Sequence, residues 1–70
     1  MTWQLWDTTH GNQLGAFASR REAFDAVLSV TSAHPELIPD LYLDAEDENG
    51  KEVFMAEGQV LAELARPQYA

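Results

Sequence analysis

Residues 13–23 read Gln-Leu-Gly-Ala-Phe-Ala-Ser-Arg-Arg-Glu-Ala, and this stretch contains the passage from a strand to a helix. Ser19 and Glu22 have the S-x-x-E spacing of a capping box, in which the serine hydroxyl accepts from the glutamate amide and the carboxylate reaches back to the serine amide. A mainly apolar stripe then recurs at helical spacing, at Ala23, Phe24, Val27, Leu28 and Thr31. The stretch therefore predicts a strand before Ser19 and an amphipathic helix after it, which Pro35 ends.

The strand before this helix has a predicted hairpin partner at residues 2–7. Gly11 supplies the left-handed residue of a three-residue loop closed by a bulge, which places Trp6 opposite Leu14. Directly paired residues share a face of a sheet. The face that we expect under the helices carries Trp3, Leu5 and Phe17. The opposite face carries Gln4, Trp6, Leu14 and Ala16.

The second predicted hairpin joins residues 41–46 to residues 52–56. Two registers are open at Asn49-Gly50: a two-residue loop sets Asp44 opposite Met55, and a three-residue loop with a Gly50 bulge sets Leu43 opposite Met55. We prefer the second register, because a one-residue slip would turn its coherent apolar face to the wrong side. That face consists of Leu41, Leu43, Ala45, Val53 and Met55.

A short second helix is predicted at residues 59–66, with Gly58 before it and Pro67 as its stop. Its side chains expected to face the sheet are Val60, Leu61 and Leu64. The order strand, strand, helix occurs twice, so the predicted fold is a single α+β domain over residues 1–70. This ββαββα chain forms an antiparallel four-stranded sheet with two helices on one face. The strand order stays open, since the hairpins can join within one chain or across a dimer.

The charge composition limits the classes of molecule that we expect this chain to bind. The 70 residues include 12 Asp and Glu but only 4 Lys and Arg, which gives a formal net charge of -8. Nucleic-acid phosphates and anionic lipids require clustered basic side chains, and the one basic pair is Arg20-Arg21. We therefore expect neither nucleic acid nor a membrane as partner, and the charge favours a basic protein. The alternative is that the charge only keeps the protein soluble.

Catalytic and cofactor-binding patterns are absent from the sequence. His10 and His34 lie at a turn and a helix end, without the converging serine and carboxylate of a triad. The acidic residues 44–50 lack the twelfth-position glutamate of a calcium loop, and the absence of cysteine excludes disulfides and thiolate metal sites. We expect a non-enzymatic protein without cofactor or metal. The sequence shows neither a spanning apolar run nor a signal peptide, so we expect it in the cytoplasm.

The face opposite the helices is the most informative feature. It combines large aromatic side chains with carboxylates, whereas an open sheet face is normally polar. Aromatic patches rimmed by charge are typical of contact surfaces. The predicted partner-binding residues are Trp6, Leu14, Tyr42, Asp44, Glu46 and Phe54. This pattern predicts a small acidic interaction module that binds a protein partner or forms a homodimer. The alternatives are an acidic inhibitor or antitoxin that covers the basic site of a nucleic-acid enzyme, and an enzyme or small-ligand carrier.

Two resemblances accompany this interpretation. Residues 13–23 resemble the first strand and helix entry of SPOR peptidoglycan-binding domains. Those domains continue with helix, hairpin, helix and strand, whereas this chain ends in a predicted helix, so no peptidoglycan-binding residue is carried over. The order of an aromatic strand, a Gly-Asn turn, a Leu-Gly-x-Phe strand, a capped helix, an acidic Asn-Gly hairpin and a last helix is similar to short bacterial proteins without an assigned function. That resemblance implies the ββαββα order and no activity.

Overall fold

The computed structural model describes residues 1–66. Its elements are β1 (Thr2–Asp7), β2 (Asn12–Phe17), α1 (Arg20–Ala33), a 3-10 helix (Pro35–Asp40), β3 (Leu41–Glu46), β4 (Glu52–Glu57) and α2 (Gly58–Ala65). The strands form one antiparallel sheet in the order β2-β1-β3-β4, which confirms the predicted α+β fold. The two hairpins join through β1 and β3 within one chain. Pro67, which we expected to end α2, lies outside the described residues.

Both helices pack on the same face of the sheet. The core consists of Trp3, Leu5, Ala23, Val27, Leu41, Leu43, Ala45, Ala56, Leu61 and Ala65. Alternate residues of the central strands β1 and β3 are buried, whereas the edge strands contribute fewer core residues. A fully buried leucine such as Leu43 contributes roughly 1.5–3 kcal/mol through removal of apolar surface from water. No helix within residues 1–66 is long and apolar enough to cross a membrane.

The start of α1 follows the predicted capping interaction. The Glu22 amide donates to the Ser19 hydroxyl oxygen at 3.2 Å. The Glu22 carboxylate accepts from the Ala18 amide at 3.3 Å, one residue earlier than in the standard capping box. The helix ends at Ala33, before the proline, and the His34 amide donates to the Val30 carbonyl at 2.7 Å. The local sequence therefore sets both ends of this helix.

The first hairpin has a longer loop than predicted. Asp7 pairs with Asn12, so the loop contains residues 8–11, with Gly11 at a φ of 67°. A bulge at Leu14 then shifts the pairing by one residue. The bulge compensates for the longer loop, and the predicted register is restored for the part of the hairpin farther from the turn.

The second hairpin has the predicted turn but the opposite strand phase. The Asp47 amide donates to the Lys51 carbonyl at 2.9 Å, as the three-residue loop requires. A bulge at Val53 follows, and Ala45 pairs with Phe54 instead of Val53. The part of β4 after the bulge therefore has the phase of the register that we rejected.

The two glutamates that bound β4 give a physical reason for this bulge. Glu52 and Glu57 are five residues apart, so a regular strand would direct one of them to the core face. The inserted Val53 leaves both glutamates exposed, and it turns Phe54 and Ala56 towards the helices. Burial of an unpaired carboxylate is costly, and the bulge avoids it.

Four residues expected in the core are exposed: Val53 (48%), Met55 (52%), Val60 (64%) and Leu64 (42%). The first two follow from the bulge in β4. The residues that α2 buries are Leu61, Ala62 and Ala65. Because α2 begins directly after β4, the strand sets its rotation, and the two alanines allow close approach to its neighbours. The predicted inward stripe of α2 was therefore wrong except at Leu61.

Candidate functional site

The face of the sheet opposite the helices is termed the open face. Since directly paired residues share a face, the cross-strand pairs define its members. They form three rows: Gln13, Trp6, Tyr42 and Glu57; Ala16, Gln4, Asp44 and Met55; Thr2, Glu46 and Glu52. The open face thus combines two aromatic rings and an exposed methionine with several carboxylates.

The charge on the open face has a single sign. Its carboxylates belong to Asp44, Glu46, Glu52 and Glu57. The four strands, all within the described part of the chain, contain neither Lys nor Arg. The basic residues lie at helix ends and in a turn, at Arg20, Arg21, Lys51 and Arg66. The resulting negative potential attracts cationic groups to this face.

Asp44 lies in the middle row of the open face. Its Oδ1 atom is buried and has no hydrogen-bond donor among residues 1–66. Burial raises the pKa of Asp44 and the charges of Glu46 and Glu52 raise it further, whereas a hydrogen bond from the Trp6 side chain to the carboxylate lowers it. Buried acceptors in folded proteins nearly always have a donor. The Oδ1 atom is therefore an exception among residues 1–66, since it is shielded from solvent and has no donor.

Trp6 and Tyr42 face each other across β1 and β3. A shallow depression of about 390 Å³ lies beside their rings. Its lining consists of Trp6, Asp7, Thr8, Gly11 and Tyr42. The Tyr42 hydroxyl donates to Glu52 Oε2 at 3.3 Å, and burial, followed by the charge of Glu52, raises the pKa of Tyr42. The depression is mostly apolar, and one of the side chains that line it, Tyr42, is hydrogen-bonded to the Glu52 carboxylate.

The loop beside this depression is held in place by hydrogen bonds. Asp7 accepts from the Thr9 amide at 3.1 Å and the His10 amide at 3.3 Å, and its Oδ2 lies 2.9 Å from His10 Nδ1. The His10 hydrogen bond lowers the pKa of Asp7, although burial opposes this effect. The Thr8 amide and hydroxyl donate to the Asp40 carbonyl at 2.8 and 3.0 Å. The loop wall is therefore formed before any ligand binds.

Most of the predicted partner-binding residues meet on the open face. Trp6, Tyr42, Asp44 and Glu46 lie there, in adjacent rows. Leu14 is exposed, but it is the bulge residue of β2, and Trp6 pairs with Gln13 instead. The predicted pairing of Leu14 with Trp6 was wrong because the loop is one residue longer than expected.

Phe54 does not belong to the open face. Its ring centroid lies 5.2 Å from that of Trp3 and 6.0 Å from that of Phe24, beneath α1. The Arg20 guanidinium carbon lies 4.8 Å from the Phe24 ring centroid and 5.6 Å from that of Phe54. The placement of Phe54 was wrong because the Val53 bulge reverses the phase of β4.

Sequence analysis missed Met55 and Glu57 as members of the open face. They pair with Asp44 and Tyr42, respectively, and Met55 takes the place expected for Phe54. The five-residue spacing of Glu52 and Glu57 was the available signal, since a bulge is needed to keep both out of the core. In the part of the chain that the structure describes, no group of three or more His, Asp or Glu side chains could hold a metal ion.

Comparison with known proteins adds no family to the two resemblances, which stay predictions. The chain matches no protein-family model, no curated protein and no solved structure.

Proposed function

We propose that this chain is a small non-enzymatic interaction module that binds a partner protein with a basic surface through its open face. The observation that supports this proposal is the coincidence of Trp6, Tyr42 and exposed Met55 with four carboxylates on a face without Lys or Arg. Aromatic residues and methionine are enriched in the centres of protein interfaces. The carboxylates would add attraction and specificity for a positively charged partner.

The shape of the open face favours a macromolecule over a small ligand. Pockets for small molecules enclose most of the ligand surface. The depression at Trp6 and Tyr42 is shallow and open to solvent on the sheet surface. It resembles the kind of indentation that receives one side chain of a protein partner.

A second copy of the chain is a less favourable occupant of the open face. In a symmetric dimer the same patch of both copies would meet. The four carboxylates of one copy would then face those of the other, and juxtaposed like charges cost several kcal/mol at an interface. A basic partner encounters no such repulsion.

An acidic inhibitor is a narrower form of the same proposal. A protein that covers the basic site of a nucleic-acid enzyme would use the carboxylates of the open face and the net charge of -8. Its binding would weaken steeply with salt and would be displaced by a polyanion such as heparin. Binding that persists in high salt would exclude this form.

The test compares two double variants that remove apolar side chains from opposite sides of the molecule. Trp6→Ala/Met55→Ala alters the open face, and Val60→Ala/Leu64→Ala alters exposed positions of α2. Proteins captured from the native host by the wild-type chain are identified, purified and measured by calorimetry. We expect a basic protein whose binding is lost with the first variant and retained with the second, while circular dichroism shows both to be folded.

Two results would contradict this proposal. Equal binding of the purified partner to both variants would remove the open face from the interaction. A wild-type chain that sediments as a dimer at micromolar concentration, and as a monomer after Trp6→Ala/Met55→Ala, would make a second copy the occupant.

A further inference from the structure

We infer that the free edge of β2 joins two copies of this chain, whose β2 strands pair antiparallel across a twofold axis to form one eight-stranded sheet. This contact lies beside the open face, and it does not depend on the proposed function. Three observations support it: an unpaired row of backbone groups, the lack of charge on β2, and groups of opposite charge at the two ends of this strand.

The first observation concerns the backbone of β2. This strand pairs with β1 on one side and has no strand on the other. Within residues 1–66, no loop backbone hydrogen-bonds to residues 12–17. Beyond the bulge at Leu14, residues 15–17 pair regularly with β1 and leave their outer side open. Such a row of N–H and C=O groups can accept a strand from another chain.

The two edges of the sheet differ in charge. β4 is bounded by the exposed Glu52 and Glu57, and charged side chains commonly protect edge strands from pairing with another chain. β2 contains no charged residue and no proline. Among the four strands within residues 1–66, it alone has no carboxylate. Two copies with a net charge of -8 each therefore meet the least repulsion at β2.

The eight-stranded sheet also keeps the charged parts of the open faces apart. The open-face carboxylates begin at β3, which is separated from the free edge by β1 and β2. Five strand spacings, or about 24 Å, would lie between β3 of one copy and β3 of the other. This distance exceeds the Debye length of about 8 Å at physiological salt, so the repulsion is largely screened.

Small side chains favour a register centred on Ala16. Directly paired residues share a sheet face, so the axis pairs residues that are symmetric about one position of β2. At Ala16, two exposed alanines meet on the open face. Gly15 then lies opposite Phe17 of the second copy. A Cβ at Gly15 would lie 2.6 Å from Cζ of its own Phe17, so the glycine leaves space for these rings.

The two ends of β2 have opposite charges. Arg21 follows β2 in the first turn of α1, is exposed and forms no ion pair within residues 1–66. Asp40 lies at the other end, beside the 8–11 loop, where its carbonyl accepts from the Thr8 amide at 2.8 Å and its carboxylate accepts from the Thr9 hydroxyl.

Antiparallel pairing brings the Arg21 end of each copy to the Asp40 end of the other. The twofold axis repeats this attraction, so the edge is complementary to itself. Parallel pairing would bring two Arg21 ends together. Charge complementarity is therefore the reason to name a second copy, and not a foreign strand, as the occupant of this edge.

Sedimentation equilibrium of the chain alone tests the association, between about 10 µM and about 1 mM because the contact is small. We expect a reversible equilibrium between monomer and dimer. Ala16→Lys places two ammonium groups at the axis and should weaken the dimer at least about tenfold, although it reduces the net charge of each copy. Val53→Lys makes the same change at an exposed position of β4 and should alter the affinity less than about twofold.

Hydrogen exchange followed by NMR locates the contact. Exchange of the amides in residues 15–18 should slow as the concentration of the chain rises, whereas exchange in β4 should stay constant. A mixture of isotope-labelled and unlabelled copies should show contacts between Ala16 of one copy and Ala16 of the other.

A charge exchange tests the antiparallel direction. Arg21→Glu should weaken the dimer about tenfold, since it turns two attractions into repulsions. Arg21→Glu/Asp40→Arg should restore the affinity. Arg21→Glu/Glu48→Arg has the same net charge, but Glu48 lies in the turn between β3 and β4, so this control should not restore it. Restoration by both double variants would overturn the antiparallel contact.

Three further results would overturn the β2 contact: a chain that stays monomeric at about 1 mM, a dimer that Ala16→Lys leaves intact, and a dimer with slower exchange in β4 instead of β2. Slower exchange in residues 15–18 only after addition of a protein captured from the host would assign the edge to a foreign strand. None of these results decides the proposed function, because Trp6→Ala/Met55→Ala is measured on binding of the purified partner.

Discussion

Each hairpin has an aspartate in its central strand, and the two aspartates differ in their hydrogen bonding. Asp7 in β1 has donors from the Thr9 amide and from the amide and ring of His10. Asp44 in β3 has a buried oxygen without a donor among the described residues. The first carboxylate stabilises its own loop, whereas the second leaves a hydrogen-bonding capacity unused. The pKa of Asp7 is accordingly lowered by the His10 hydrogen bond, whereas the pKa of Asp44 is raised by burial.

The bulges of the two hairpins have similar positions but different effects on strand pairing. Each lies three residues after the turn glycine, at Leu14 after Gly11 and at Val53 after Gly50. In the first hairpin the bulge compensates for a longer loop, so the outer pairing is the one that a shorter loop would give. In the second hairpin it follows the shorter loop and reverses the phase of β4. Turn chemistry alone therefore does not determine which side chains reach the core.

The largest effect on the free energy of unfolding is expected at Phe54, in contrast to the neighbouring bulge residue Val53. Phe54→Ala removes a partly buried ring from between Trp3 and Phe24 and should cost about 2–3 kcal/mol, below the range for a fully buried phenylalanine. Val53→Ala changes an exposed side chain and should cost less than about 0.5 kcal/mol. Urea denaturation at constant m-value measures both. A costly Val53→Ala with a neutral Phe54→Ala would restore the phase that we first predicted.

An intermediate effect is expected at the turn glycines, which have φ values of 67° at Gly11 and 78° at Gly50. An alanine at either position would adopt the left-handed region at a cost of about 1–2 kcal/mol. Asparagine tolerates this region better, so Gly11→Asn and Gly50→Asn should recover part of the loss. Similar losses of stability in thermal unfolding would show that the turns are equivalent and that the hairpins differ in their bulges. A loss confined to one hairpin would contradict this.

The smallest effect concerns the pH dependence of stability, with opposite signs for the two aspartates. The pKa of Asp7 is lowered in the folded protein, so its contribution is present above the ordinary value of 3.8 and is lost as the pH falls through the folded pKa. The pKa of Asp44 is raised above 3.8, so the folded state loses stability as the pH rises through that higher pKa.

Two single variants check these signs. Asp7→Asn should lower the melting temperature at neutral pH and flatten its fall below pH 3.8. Asp44→Asn should raise the melting temperature slightly at neutral pH and leave it little changed in acid, where wild-type Asp44 is protonated. Melting curves between acidic and neutral pH measure both. A lower melting temperature for Asp44→Asn at neutral pH would show that the buried oxygen has a stabilising partner.

The sequence by itself determined the elements of this protein, because each depends on residues within a few positions of one another. Ser19 and Glu22 fix the start of α1, the glycines place both turns, and the repeated strand–strand–helix order leads to the sheet with two helices. It also placed four of the predicted site residues, Trp6, Tyr42, Asp44 and Glu46, on one face.

Only the tertiary structure decided the strand order, the phase of β4, the rotation of α2 and the absence of a donor, within residues 1–66, for the Oδ1 atom of Asp44. Each results from competition between distant groups. Phe54 packs against Trp3 and Phe24 from other elements, while Glu52 and Glu57 both have to remain exposed, and a bulge at Val53 is the arrangement that satisfies these requirements together. Pairing and burial depend on three-dimensional neighbours, and no local pattern in a single hairpin specifies them.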